Sequence, residues 1–344
     1  MRIALTVDPE IPVPPVHYGG IERIVDMLAC GLVSRGHEVT VFAHPASSTA
    51  GRLVPWIGLR SGAPADTIRN AGALAGYALG RKFDLIHSFS RIAYLAPLLP
   101  CRMPKLMTYQ RAITRRSVRL GHALSCGSLW FSAISRQMMR GVDDIGTWRL
   151  VYNGVPIGSY DFKERLAPNA PLVFLGRVEE IKGPQLAIQV ARRTGLPLVI
   201  AGNVPQEHKE WFATKIAPQL GADITYIGPI NNKEKNELLG RACALLMPIQ
   251  WEEPFGIVMA EAMACGTPVI GLARGAVAEV IEHDVTGFIC DDIDQMVLAV
   301  GNLNRIEREK CRFRAEQMFS DRAIVAAYEN VYTEMLVESH RRGN

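Results

Sequence analysis

Two carboxylates, Glu253 and Glu261, stand eight positions apart in the run Glu253-Pro254-Phe255-Gly256-Ile257-Val258-Met259-Ala260-Glu261. Pro254 and Gly256 suit a tight turn, and the apolar residues behind them predict a helix over 257–264 that ends near Gly266. A helix that opens at Gly256 turns the N–H groups of Phe255, Gly256, Ile257 and Val258 outward together, which makes an anion site. Glu253 then stands in front of that site, and Glu261 lies about one turn, ~6 Å, further along. A ligand with sugar hydroxyls at both ends and phosphates in the middle fits, and a nucleotide-sugar is such a ligand. The plainer alternative is a polar cap followed by one exposed helix glutamate.

Two further loops carry related chemistry. Gly176-Arg177-Val178-Glu179-Glu180-Ile181-Lys182-Gly183 sits between a strand-like run at 172–176 and a helical run at 185–193. A loop at the end of a parallel strand opens where ligands of α/β sheets bind. Arg177 can grip oxygens in a fork and Lys182 adds a compact point charge, a pair suited to a diphosphate. Tyr18-Gly19-Gly20-Ile21-Glu22 follows Pro9, Pro12, Pro14 and Pro15. The prolines stiffen that loop, and Gly19 and Gly20 let backbone approach a ligand at the start of a helix. No GxGxxG follows the first strand, which disfavours a dinucleotide-dependent dehydrogenase.

The elements that must position these residues alternate as expected for parallel α/β sheets. Apolar runs predict strands at 3–7, 39–43, 85–87, 105–109 and 129–133, with helices at 21–34, 66–80 and 135–142. A second series predicts strands at 172–176, 198–202, 224–227, 244–248 and 269–271, with helices at 185–193, 233–241 and 257–264. Turn-rich Val151-Tyr152-Asn153-Gly154-Val155-Pro156 separates the series, and a last helix is expected over 321–339. The reading is α/β, with two Rossmann-like domains facing across a cleft. Residues 1–152 form the N-terminal domain, 153–320 the C-terminal domain, and 321–344 a closing helix.

Composition agrees with an ordinary globular enzyme. The 344 residues exceed a usual single core, with 48% hydrophobic and 21% charged residues. No apolar run reaches the ~20 residues needed to span a bilayer. Seven cysteines are scattered without a CxxC pair, which predicts reduced, mostly buried thiols in a cytoplasmic protein and neither zinc nor a disulfide framework. Charge is divided unevenly. Residues 1–152 hold 18 Lys/Arg against 9 Asp/Glu, whereas 153–344 hold 20 against 25. The basic first half suggests an anionic partner, either phospholipid headgroups at the inner face of a membrane or a phosphorylated acceptor, and the plainer alternative is a solvated helix face. Arg111, Arg115, Arg116 and Arg119 are its densest part, with Arg115 and Arg119 on one helix face and Arg111 above them. Nucleic acid is not expected, because no aromatic stacking pattern accompanies the arginines.

With these residues together, the chain resembles the retaining glycosyltransferases of family 4, which have the GT-B fold. The resemblance spans nearly the whole chain. It rests on Gly19-Gly20, on Gly176-Arg177 with Lys182-Gly183, on Glu253-Pro254-Phe255-Gly256 with Glu261-Ala262-Met263-Ala264-Cys265-Gly266-Thr267-Pro268, and on Thr286-Gly287-Phe288. It implies that the first domain binds acceptor and the second binds a UDP-, GDP- or dTDP-sugar donor. Arg177 and Lys182 would hold the donor diphosphate, and Glu253 the sugar hydroxyls with the N–H groups of Phe255 and Gly256. Glu261 would take the ribose hydroxyls, the N–H groups of Ile257 and Val258 the phosphates, and Gly228-Pro229-Ile230 the base. The closing helix would cross back onto the first domain. No cofactor or metal is implied, and no Asp-x-Asp cluster suited to Mg²⁺ accompanies these motifs.

One position departs from the family pattern. Many relatives have Thr-aromatic-His after the fifth strand, where this chain has Thr108-Tyr109-Gln110, so a group that hydrogen-bonds but does not titrate takes the histidine's place. His87, His17, Tyr18 and Gln110 are the candidate acceptor or sugar contacts, and for His87 a satisfied structural histidine is the equal alternative. The acceptor itself is a hydroxyl of unknown kind, on a lipid-linked, glycan or natural-product molecule. Two other readings share the ligand: a sugar-nucleotide epimerase of the same fold and a non-catalytic nucleotide-sugar binding module.

Overall fold

The computed structural model describes residues 1–15 and 19–343. His17 and Tyr18 lie outside the described residues. The chain divides into two units, Met1–Asn153 with Asp321–Asn344, and Gly154–Ser320.

The first unit is built on seven parallel strands: β1 Arg2–Thr6, β2 Glu38–Ala43, β3 Arg52–Pro55, β4 Leu85–Ser88, β5 Lys105–Tyr109, β6 Leu129–Ala133 and β7 Trp148–Leu150. Their order is β3-β2-β1-β4-β5-β6-β7. The central strands bury nearly every residue, because helices cover both faces of a parallel sheet. The main crossover helices are α1 Gly20–Ser34, α2 Pro64–Gly80 and α3 Arg115–Leu124. Strand order reverses between β1 and β4, and such a switch point opens a crevice at the strands' C-terminal ends. The proline-rich loop and Gly19-Gly20 follow β1 there.

Helix Asp321–Gly343 completes this unit. Ile324, Val325, Tyr328, Val331, Tyr332 and Met335 recur every three or four residues and are all buried, a stripe that packs on the unit. Each such side chain contributes about 1.5–3 kcal/mol of burial. Glu329 on the same helix is paired with Arg35 and with His37, the latter at 2.7 Å.

The second unit has six parallel strands: β8 Leu172–Leu175, β9 Leu198–Ala201, β10 Ile224–Tyr226, β11 Ala244–Met247, β12 Val269–Leu272 and β13 Gly287–Cys290. Their order is β10-β9-β8-β11-β12-β13. Its longer helices are α4 Pro184–Thr194, α5 Asn232–Arg241, α6 Ile257–Ala264, α7 Ile293–Gly301 and α8 Arg308–Met318. Here the switch point falls between β8 and β11. The loop after β8 carries Arg177 and Lys182, and the loop after β11 carries Glu253, so topology alone brings these two motifs to one crevice.

Several expectations need correction. The helix expected over 135–142 is only Arg136–Met139, because Arg140 leaves helical geometry and Gly141 turns to φ 79°. Arg111 precedes α3 rather than riding on it; Thr114 caps the helix and Arg111 lies 3.8 Å from Asp8. The thiols are free but not mostly buried: Cys265, Cys290 and Cys311 are buried, whereas Cys30 and Cys126 are exposed. No helix among the described residues is long and apolar enough to cross a membrane.

Candidate active site

The loop after β8 is pinned from below. Gly183 adopts φ 80°, and a side chain there would place its Cβ 2.0 Å from the Pro248 carbonyl oxygen. Only glycine permits that approach. Gln250 then donates from its backbone to Ile181 O at 2.8 Å and from its amide to Glu180 O at 2.7 Å. These contacts tie the turn Glu180–Lys182 to the segment after β11 and carry Lys182 to Glu253.

Glu253 is buried, and its Oε2 accepts from Lys182 Nζ at 2.6 Å and from Trp251 Nε1 at 3.0 Å. The Lys182 ammonium also lies 4.6 Å from the centre of the Trp251 ring. The Glu253 backbone is held by the loop after β12, where Ala276 N donates to Glu253 O at 2.8 Å. Gly275, at φ 58°, passes so close that a Cβ would sit 2.3 Å from the Glu253 backbone nitrogen and oxygen.

Arg177 is bound to a different carboxylate. Its Nη2 lies 2.8 Å from Oε1 of Glu179, whose other oxygen is 3.4 Å from His208 Nε2. Glu179 is itself buried, so it acts as a fixed anion behind the guanidinium.

Helix α6 begins after Gly256, which has φ 74° and caps it without a side-chain bond. Gly256 O accepts from Met259 N at 2.9 Å, and the first-turn N–H groups of Ile257 and Val258 have no acceptor within a helix. Phe255 turns inward and packs edge-on against Phe319 at 5.5 Å. Glu261, one turn on, is buried; its Oε1 accepts from Tyr160 Oη at 2.8 Å and from the Lys235 ammonium. Ile230 is half-buried in the loop after β10, where Gly228 O accepts from Gly202 N at 2.8 Å.

The second unit thus gathers Arg177, Lys182, Glu253, Phe255, Gly256, Ile257, Val258, Glu261 and Ile230 along its strand ends. Glu179, His208, Trp251, Lys235 and Tyr160 were not among the expected residues. Glu179 and Trp251 stand two residues from their partners Arg177 and Glu253, whereas the partners of His208, Lys235 and Tyr160 are far away in sequence, and only a strand order would have disclosed those pairings.

In the first unit, Gly19 O accepts from Arg23 N at 3.2 Å at the start of α1, where Gly20 is the first helical residue. Gln110 and Asn153 exchange two amide hydrogen bonds of 2.8 Å each. His87 is a correction: it is fully buried, with Nδ1 2.6 Å from Tyr332 Oη and Nε2 2.6 Å from Thr108 Oγ1. Burial pushes its pKa well below the usual histidine range, so it is a neutral structural residue and not an acceptor contact. A cavity of about 220 Å³ in this unit, lined in part by Arg102, Cys126, Trp130 and Arg342, contains none of the expected site residues. Among the described residues, no group of three or more His, Cys, Asp or Glu is arranged to hold a metal.

Two family models match the chain in succession, "Glycosyltransferase Family 4" over residues 18–157 and "Glycosyl transferases group 1" over 160–320. The chain is 25% identical over 341 residues to spore coat protein SA of Bacillus subtilis, covering 86% of each. It is 26% identical over 344 residues to glycogen synthase of Mycobacterium tuberculosis, covering 83% of this chain and 82% of that one. The solved structure of Anabaena HepE in complex with UDP-glucose has the same fold, with a TM-score of 0.75 at 17% identity, over 97% of this chain and 100% of that one.

Proposed function

The chain belongs to the family 4 glycosyltransferases, and from that premise we propose that it moves a hexosyl unit from a nucleotide-sugar to a hydroxyl acceptor with retention of configuration. The observation that carries this reading is the crevice between β8 and β11, where buried Glu253 meets Lys182 beside the open first turn of α6. The relative named glycogen synthase and the fold neighbour crystallised with UDP-glucose support a hexose on a nucleoside diphosphate.

Charge dictates the division of labour. The anomeric carbon–oxygen bond breaks with its electron pair leaving on the diphosphate, and the ring carbon becomes electron-poor. Arg177, Lys182 and the N–H groups of Ile257 and Val258 meet the negative charge, so the reaction proceeds without a divalent metal. Glu253 holds the sugar hydroxyls with the backbone of Phe255 and Gly256. Glu261 takes the ribose hydroxyls, and the loop at Ile230 faces the base. The acceptor oxygen forms the new bond on the face that the leaving group vacates, and its proton passes to a leaving phosphate oxygen.

The basic first unit also presents a lipid-facing surface in this reading. Arg116 and Arg119 on α3 are exposed beside Leu120 and Leu124, which are 59% and 47% exposed, a basic and apolar face suited to anionic headgroups. Flotation with phosphatidylglycerol vesicles but not with phosphatidylcholine vesicles is the expected result, and no flotation with either removes the membrane contact.

The test of the donor reading is thermal stabilisation by nucleoside diphosphates and their sugars, with EDTA present. One base should shift the midpoint selectively, by the equivalent of about 2.7 kcal/mol at a hundredfold excess over Kd. If none shifts it at millimolar concentration, the donor site is wrongly assigned. With an acceptor in hand, NMR of the product decides retention against inversion. Product formed without any acceptor would favour an epimerase.

A further inference from the structure

Glu253 and Glu261 are held in the same way by unrelated residues. On Glu253, Oε2 receives Lys182 and the Trp251 N–H, and the lysine lies over the tryptophan ring. On Glu261, Oε1 receives Lys235 and the Tyr160 O–H, and the lysine lies 5.7 Å from the tyrosine ring centre. In each case the other carboxylate oxygen accepts no hydrogen bond from any described residue.

We propose that Tyr160 and Lys235 are positioning residues that aim the second oxygen of Glu261 at the ribose hydroxyls, and so set the preference for nucleotides that carry them. This rests on the ribose reading of Glu261. A carboxylate with one donor can rotate to follow it, whereas one with two donors on the same oxygen must break both to turn. The clamp is built from three separate elements. Tyr160 follows the turn Ile157–Ser159, and its carbonyl accepts from Arg312 Nη1 at 2.8 Å. Lys235 leaves the first turn of α5, whose start is fixed by a capping box between Asn231 and Glu234. Glu261 leaves the middle of α6. The Glu261 side chain is only 9% exposed, so a ribose hydroxyl that reaches the remaining oxygen meets little competing water.

The two residues differ in what else they supply. Lys235 neutralises Glu261 next to the phosphate site, so its loss adds repulsion against any diphosphate, with or without ribose hydroxyls. Tyr160 adds a hydrogen bond without charge, so its loss loosens the aim alone.

Calorimetric Kd values for UDP and GDP, each against its 2′,3′-dideoxy counterpart, separate these effects. For the base that binds, the wild type should prefer the ribose form by about tenfold or more, the range of a hydrogen bond to a charged group. Tyr160→Phe should cut that ratio at least threefold and leave the dideoxy Kd unchanged. Lys235→Met should cut the ratio and also weaken the dideoxy nucleotide, and Lys235→Arg should restore both. The clamp is overturned if the ratio survives in Tyr160→Phe while Glu261→Gln abolishes it. A ratio that survives in Glu261→Gln overturns the ribose assignment itself, and the clamp with it. Tyr160→Phe keeps the ring, so a folding defect in Lys235→Met does not remove the test.

Discussion

Arg308 is a residue whose removal should loosen the part of the second unit that carries Lys235 and Glu261. It is 8% exposed. Its guanidinium donates to Lys163 O at 2.5 Å, Ala242 O at 3.0 Å, Gly240 O at 3.0 Å, Cys265 O at 3.3 Å and Thr267 Oγ1 at 2.9 Å. Burial lowers its pKa, yet all five acceptors are neutral. The charge is balanced instead by the C-terminal ends of α5 and α6, where carbonyls converge and the helix dipoles are negative. Hydrogen bonds to a charged group contribute about 1.5–3 kcal/mol each, so five set a ceiling near 7–15 kcal/mol. Desolvation of the guanidinium offsets several kcal/mol of that. Arg308→Met should therefore cost about 3–5 kcal/mol, typical for breaking a buried charged network. Native-state hydrogen exchange over 236–243 and 262–268 measures it in the second unit alone. Lys235 and Glu261 stand on the two helices that Arg308 joins, so nucleotide affinity should fall as well. Arg308→Lys, with three donors for five acceptors, should recover only part. A loss under about 1 kcal/mol in Arg308→Met would mean that water replaces the guanidinium there, and the argument from buried acceptors would fail.

Two more outcomes are expected in the first unit. Lys105 is fully buried and donates to Cys101 O and Met103 O at 2.7 Å, and burial pulls its pKa from 10.5 to about 8. Between those values the unfolded chain binds more protons than the folded one, so stability rises with pH, by about 3 kcal/mol in all. Lys105→Met should remove that rise when urea midpoints are compared from pH 7.5 to 10.5, and parallel curves would refute it. Gly31 faces Val325, and a Cβ there would lie 2.4 Å from Val325 Cγ2. Gly31→Ala should cost about 1–3 kcal/mol by overpacking, and Val325→Ala should recover most of it in a double-mutant cycle; simple additivity would mean that the helix shifts freely.

The sequence discloses strands where both faces are buried, because an uninterrupted apolar run such as Leu172–Leu175 has no other stable place. It conceals edge strands. Arg52–Pro55 and Trp148–Leu150 bury no residue fully and carry arginine, so their apolar signal is weak. Gly287–Cys290, at the edge of the second sheet, falls within a motif that was legible, but it opens on glycine and follows a turn, so it too lacks a clear apolar run. Polar helix α8 shows little apolar periodicity, yet it supplies Arg308 and Arg312. At the candidate site, residues near one another in sequence were legible because glycine, proline and charge co-occur within a few positions. Tyr160 and Lys235 were not, since each gains meaning only from Glu261, a carboxylate brought close by folding. His87 shows the converse: a histidine at a strand end reads as reactive until Tyr332, on the last helix, is known to cover it.

That last helix also sets the order in which the protein can be made. A ribosome delivers β1 through β7 first, then the whole of the second unit, and only then the residues that cover α1 and β4. At about 5–20 residues per second, on the order of 10–40 s separates the emergence of the first sheet from that of Tyr332. Throughout that interval the first unit presents an uncovered apolar groove, while the second, contiguous in sequence, can close unaided. The unit synthesised first is therefore finished last. A stalled or clipped chain missing only this helix would carry a complete second unit and an aggregation-prone first one.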